Sequence, residues 1–489
     1  MHIFLWQQAI KFIKFEYNLC VTGSVYLGYI LDSLTLTQGC TVTEMIRSPR
    51  EASGSIAGHF SARLFLWFVA AIVLVAPTLA RAATTWTATD EASLVSAITN
   101  AASGDTLQLG ADFTVGATTR LWIKDKALTL DLNGHTLTLA SANSGQIYVS
   151  DSDANPQPGA GASLPTLSAL TIIDSTGGGV IAANASNNGA VIFVNKGKLD
   201  IEGGTINQTS SSGRAIDVLG SNVDLGPDYS VVTIGGSAVI NCSGWGINIS
   251  TSTSVIHEFG VALHITGGTI NTPAAITVNG TPKDTTGNIP QITITGGVIN
   301  GGIYIAGYTD VSMSGGAIDS PNRSGIEMKS GTLNVTGGSI TSSGPADHTV
   351  NNSGPSTTGY GIVAVANSGY AGNVDIHISG GSITGEVAFG SVIDSGTADP
   401  KVSISGGSFD GDLASENITS FISGGTFTDD PTPYLAEGLS VVPGPGGSFI
   451  VKGPSSASAA AVPTLEPAML ALLALALGGF AFAQKRRRA

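Results

Sequence analysis

The chain reads as an all-β protein wound into a parallel β-helix, a solenoid of roughly a dozen coils. Three observations lead there. A short motif built on a glycine pair recurs along the middle of the sequence. Hydrophobic and polar residues alternate on both sides of it. Glycine also supplies 65 of the 489 residues, which suits a chain that turns often.

The recurring string runs LDIEGGTI, VTIGGSAV, LHITGGTI, ITITGGVI, VSMSGGAI, LNVTGGSI, IHISGGSI, VSISGGSF and FISGGTF. Its leading glycines are 203, 235, 267, 296, 315, 337, 380, 406 and 424, so the separations run from 18 to 43 residues. The shortest spacing is one turn. The longer ones fit one turn plus a loop, or two turns with one degenerate motif. Two residues before the first glycine stand Ile201, Ile265, Ile294, Met313, Val335, Ile378, Ile404 and Ile422. Four before it are Leu199, Leu263, Ile292, Val311, Leu333, Ile376 and Val402. Between them lie Asp200, His264, Thr293, Ser312, Asn334, His377, Ser403 and Phe421, predicted to point outward. This period of two marks a strand with one buried face. Past the glycines the inward column resumes with Ile206, Ile270, Ile299, Ile318, Ile340, Ile383, Phe409 and Phe427. The copy at 235 is out of step by one residue.

Each unit is therefore strand, glycine bend, strand. It is too short to bury its own apolar side, so units must stack. Parallel stacking adds about 4.8 Å per coil, which makes a rod of roughly 55–60 Å. The ends of such a rod are open sheet edges that need covering. A helix over 89–103 can cover the first, with Thr89 as N-cap, the stripe Leu94, Ala97, Ile98 and Ala101, and Gly104 as its stop. Residues 427–453 leave the repeat and strap the last coil. The β-helix domain spans 83–453.

One residue further on, Asn207, Asn271, Asn300, Asp319, Thr341, Thr384, Asp410 and Thr428 form a polar column. Such a column can bind sugar or calcium, or it can close turns and bond between coils. Composition favours the second. His264 and His377 share a column four repeats apart, about 19 Å, too far to share a metal. Asp151-Ser152-Asp153 begins like a calcium loop, but Pro156 and Ala162 replace the glycine and glutamate that loop needs. That leaves room for an adventitious calcium at most, and no cofactor or metal site is expected. Asp429-Asp430, beside Pro431, reads as a turn.

Between Ala83 and Ala461 stand 30 acidic residues against 8 lysines and 3 arginines, a net charge of −19. So acidic a body excludes nucleic acid as a partner. Of three cysteines only Cys242 lies in the body, so no internal disulfide is expected there. Cys242 and Trp245 read as packed residues.

The two ends carry addresses. Leu64–Ala76 is an apolar run too short to span a bilayer, preceded by Arg63 and followed by Ala80-Arg81-Ala82. Residues 45–82 are expected to be a signal peptide, with Ala80 and Ala82 as the small residues of the cleavage site and Ala83 as the new first residue. Residues 1–44 would then be a mis-called start or a disordered extension. At the other end, 454–461 is a flexible linker. Ala468–Ala483 is an uninterrupted apolar run, expected to form a transmembrane helix over 468–483 in transient contact with the inner membrane. The basic cluster Lys485, Arg486, Arg487 and Arg488 would stay cytoplasmic.

Val462, Pro463, Thr464 and Leu465, then the apolar run, then the basic cluster, resemble the IPTL-CTERM signal, with Val462 where that motif has isoleucine. It is a variant of the PEP-CTERM class that exosortases read in Gram-negative bacteria. The resemblance covers 462–489 and implies export machinery and an exosortase as partners. It further implies an inner-membrane-anchored intermediate and then release to the cell surface or outside. The helix at 89–103, GDTLQLGADFTV, ALTLDLNGHTLTL and the glycine-pair coils resemble the pectin-lyase-like right-handed β-helix proteins over about 83–451. That family includes lyases, hydrolases and non-catalytic surface proteins. Its enzymes act on acidic polysaccharides with clustered aspartates and basic residues. Here Arg120, Arg214 and Arg323 fall in different coils, and no segment carries paired aspartates on a strand. The expectation is a non-catalytic adhesion or structural protein meeting an extracellular glycan or matrix. The alternative is a carbohydrate-active enzyme, a polysaccharide lyase or glycoside hydrolase, of the same fold.

Overall fold

Two long parallel sheets, rather than a layered sandwich, organise the chain. The computed structural model describes residues 81–453 apart from 141–144, 151–167, 185–188, 222–223, 225, 250–257, 280–284, 352–353, 366–368, 371 and 394–397. The expected linker 454–461 and C-terminal segment 462–489 therefore lie outside the described residues. So do 1–80, which hold nearly all of the expected signal peptide.

The first sheet has 12 strands, all parallel, beginning with β1 (Thr85–Ala88) and ending with Lys401–Ile404. Its register brings the predicted columns together. Ile172, Ile201, Ile234, Ile265 and Ile294 pair in sequence, followed by Met313, Val335, Ile378 and Ile404. All of them are buried at 1% exposure or less. Burial of each such side chain contributes about 1.5–3 kcal/mol. These residues line one hydrophobic core shared by every coil. The arrangement fits a parallel β-helix.

The second sheet holds 23 strands and contains two ladders. One follows the glycine pairs, pairing Thr205–Gln208 with Val239–Cys242, then with the first part of Thr269–Val278, then with the first part of Val298–Ile305. The other joins Ala190–Asn195, Arg214–Leu219, Trp245–Ile249 and the second parts of those same two long strands. Each coil thus has three strands, where the motif predicts two. The long strands run through the corner and fuse the two ladders.

Sequence and structure differ at several points. The motif at 235 carries one extra residue in its bend: Ile234 pairs with Ile201 and Ile240 with Ile206, although they are separated by six and five positions. The 43-residue gap is one turn plus a loop, because Gly331–Val335 pairs directly with Val374–Ile378. The loop contains an antiparallel hairpin, Asp347–Asn351 with Gly354–Thr358. Phe421, predicted outward, is buried against Phe389 and Tyr434, with ring centres 5.8 and 5.2 Å away. At the last coil the aromatic core is worth more than solvation of that ring.

The helix α1 spans Glu91–Asn100, shorter than 89–103. Its N-cap is Asp90, not Thr89, because Ser93 at the third position completes a reciprocal pair. Asp90 Oδ1 accepts from Ser93 N at 2.8 Å, and Ser93 Oγ accepts from Asp90 N at 3.1 Å. It ends before Gly104, where Ala101 turns extended. Lys126 Nζ then donates to the carbonyls of Ile98, Thr99 and Ala101 at 2.9, 3.1 and 3.0 Å. A cation there satisfies the last carbonyls and opposes the helix dipole. Leu94, Ala97, Ile98 and Ala101 are all buried.

At the far end Phe427 still belongs to the coil and stacks on Phe409, with centres 4.7 Å apart. After it, Ser440–Pro443 and Phe449–Lys452 form an antiparallel pair, and the second of them pairs antiparallel with Thr426–Phe427.

Candidate functional site

Outside the glycine bends, the outward polar column becomes an asparagine ladder. Asn241 Nδ2 donates to Asn207 Oδ1 at 2.8 Å, Asn271 Nδ2 to Asn241 Oδ1 at 2.8 Å, and Asn300 Nδ2 to Asn271 Oδ1 at 2.7 Å. The four amides point one way, so each bond polarises the next. Asn241 is absent from the column read along the sequence, because the extra residue in its bend shifts it out of step. Only the pairing of Asn241 with Asn207 and Asn271 restores it. Beyond Asn300 the column continues as Asp319, Thr341, Thr384 and Asp410.

The ladder ends beside a groove of about 270 Å³ at the corner of the coil, lined by Cys242, Asn271, Thr272, Pro273, Asn300, Gly301, Ser320, Pro321 and Asn322. The corner is tight. A side chain at Gly301, whose φ is +153°, would meet Thr272 O at 1.7 Å. Cys242 forms part of the floor at 4% exposure, with Sγ 3.0 Å from Trp245 O. Burial pushes its thiol up to about 11. A thiol so buried and so protonated is inert.

The third strands of the coils carry buried ionic groups that left no pattern in the sequence. Arg214 Nη1 lies 3.1 Å from Asp217 Oδ2, with side chains 8% and 2% exposed, and the guanidinium sits 4.9 Å from the centre of the Trp245 ring. Burial raises the Asp217 carboxyl to about 6 against the opposing pull of Arg214. Further along, Lys329 Nζ lies 3.3 Å from Glu327 Oε1 and 3.1 Å from the Tyr304 hydroxyl, 4.7 Å from that ring's centre. Glu327 Oε2 accepts from Thr357 Oγ1 of the hairpin at 2.8 Å. Burial also raises the Glu327 carboxyl. Asp217 and Glu327 lie four rungs apart. That is about 19 Å, while paired glycosidase carboxylates stand about 5–9.5 Å apart.

The predicted sites fall as follows. Ala82 and Ala83 are exposed and lie outside any regular element, just ahead of Thr84 and β1. Ala80, Val462, Pro463, Thr464, Leu465, Lys485, Arg486, Arg487, Arg488 and the run 468–483 lie outside the described residues, as does the 151–153 segment. His264 and His377 sit four rungs apart. His377 is exposed and His264 half-buried. Asp430 Oδ1 accepts from Thr432 N at 3.0 Å within a turn. Among the described residues no three His, Cys, Asp or Glu side chains converge as metal ligands would. Among them, too, no helix is long and apolar enough to cross a membrane.

These features define an all-β protein of long parallel sheets with an asparagine ladder along its outside. The model of the IPTL-CTERM motif matches residues 460–488. The match encloses Val462–Leu465 and Lys485–Arg488. It marks an exported protein that carries a C-terminal sorting signal, of the kind recognised by an exosortase-type processing enzyme, and it supports a destination at the cell surface. No curated protein and no solved structure matches the chain.

Proposed function

We propose that this is a non-catalytic cell-surface or extracellular-matrix protein, a right-handed parallel β-helix serving adhesion or structure. In this reading 45–82 is removed on export, and α1 and 427–453 cover the two ends of the rod. The segment 468–483 holds the chain briefly in the inner membrane until an exosortase acts near Val462-Pro463. The observation that carries the reading is the sorting motif at 460–488 joined to a body whose outward amides bond to one another. Amides spent on neighbouring coils stiffen a rod and leave little for a reaction.

Mass spectrometry of the protein from its native cells tests delivery. Termini at Ala83 and near Pro463 are expected, while an intact Ala489 would replace sorting with a lasting anchor. The enzyme alternative draws on the same fold, but the buried carboxylates Asp217 and Glu327 lie four rungs apart. Turnover of any member of a glycan panel by the purified protein would defeat the non-catalytic reading.

A further inference from the structure

We propose that the corner groove at the end of the asparagine ladder binds a neutral polysaccharide. The proposal deepens the surface-protein reading by naming a ligand class, and it rests on that reading only for where the ligand is met.

Three features of the groove point to this chemistry. Its lining is wholly uncharged. In sequence Asp319 and Arg323, of opposite sign, stand one residue outside the lining, and Asp319 is the rung that follows Asn300. A body of net charge −19 repels an acidic chain, and the uncharged lining offers a basic one no ion-pair partner, so a neutral polymer fits the groove best. The lining is also amphipathic. The rings of Pro273 and Pro321 offer apolar faces to the C–H side of a sugar ring, and amides stand beside them for its hydroxyls. Small-ligand sites combine apolar walls with a few placed polar groups in this way, and about 270 Å³ lies just below their usual size range. That suits one ring of a longer chain.

The hydrogen-bonding inventory shows which amides are available. Thr272 Oγ1 already donates to Gly244 O at 3.0 Å, and Ser320 Oγ to Arg323 O at 3.0 Å. Asn271 spends Nδ2 on Asn241 and Oδ1 on Asn300. Asn300 is the last rung. Its Nδ2 donates backward to Asn271, while among the described residues its Oδ1 accepts nothing. That oxygen is the negative end of an aligned row of amides, which makes it a strong acceptor for a sugar hydroxyl. Asn322 likewise makes no hydrogen bond among the described residues, and its amide is exposed at the lip. A fixed acceptor and an adaptable amide facing one small groove can engage two neighbouring hydroxyls. The ladder holds Asn300 in place beforehand, which lowers the ordering cost of binding.

Isothermal titration of the processed protein tests this with three neutral probes, cellohexaose, maltohexaose and mannohexaose, and with hexagalacturonate as the acidic control. At least one neutral probe should bind and the acidic one should not. Asn322→Ala and Asn300→Leu should each weaken binding tenfold or more. Asn207→Leu removes the far end of the ladder, outside the lining, two rungs from Asn271 and three from Asn300, and should leave affinity within about twofold. Thermal unfolding of each variant checks that the fold persists. Failure of all three neutral probes at millimolar concentration overturns the proposal, as does unchanged binding in Asn322→Ala. Either result leaves the sorting and rod readings standing, since those are judged by the chain's termini and its ladders.

Discussion

Asn241 and Asn207 lie 34 residues apart in the chain, yet their amides meet at 2.8 Å on adjacent coils. The bond ties two neighbouring parallel turns of the chain together outside the core. Asn241 both donates to Asn207 and accepts from Asn271. Asn241→Asp keeps the acceptor, loses the donor and sets a carboxylate against a carbonyl. It should cost about 1–2 kcal/mol at neutral pH, read by chemical denaturation. Lowering the pH below the carboxylate range should recover part of that loss, since a protonated carboxyl can donate.

Asp131 contributes to the pH dependence of the first coils. Burial alone would raise its carboxyl, but bonds from Gln108, Ser175 and Asn133 outweigh burial and hold it below the usual range. Its partners are Gln108 Nε2 at 2.9 Å, Ser175 N at 2.9 Å, Ser175 Oγ at 2.7 Å and Asn133 N at 2.9 Å. A depressed pKa stabilises the fold above the unfolded value, near 4, and that contribution disappears as pH falls through the folded one. Asp131→Asn should therefore destabilise at pH 7 by roughly 2–3 kcal/mol. The gap from the parent protein should narrow from about pH 5 downward. Thermal unfolding of both proteins from pH 7 to pH 3 measures it.

Gly297 shows what the glycine pairs do. Its φ is +81°, and a Cβ would lie 2.5 Å from Gly267 O on the coil before. Gly438 has a similar φ of +78° with nothing within 4 Å. Alanine at either position carries the left-handed strain, about 1–2 kcal/mol. Only Gly297→Ala adds a backbone clash between coils, so it should be the more destabilising by at least about 1 kcal/mol. Equal losses in denaturant titrations would mean that the coils are not that close.

Cys242 should be chemically silent. Its thiol, moved from 9.0 to about 11 and 4% exposed, should react with iodoacetamide at pH 8 about a hundredfold more slowly than in the unfolded chain. Reaction at the unfolded rate would show that the groove floor opens.

Much of the architecture was legible in the residues. The isoleucine columns on either side of each glycine pair pair in register as their spacing demands, because a period of two and a tight bend are both local properties. The third strand of each coil has no legible signal of its own. It follows loops of varying length, so no fixed spacing links Arg214–Leu219 to Trp245–Ile249. The Arg214–Asp217 and Lys329–Glu327 pairs lie on those strands and are illegible for the same reason. The groove could not be foreseen from a column at all, since Cys242, Asn271, Asn300 and Asn322 come from separate coils.

By itself the sequence determined that the chain is all-β and stacked, that its body is acidic, and that its tail carries a sorting label. Each of these depends on composition or on neighbours a few residues apart. The tertiary structure decided which polar side chains meet: that Asn241 joins the ladder, that buried charges pair, and that a neutral groove opens at the ladder's end. Those depend on the length of every intervening loop, which sets which rung lies beside which. The glycine motif repeats, but the loops between its copies do not.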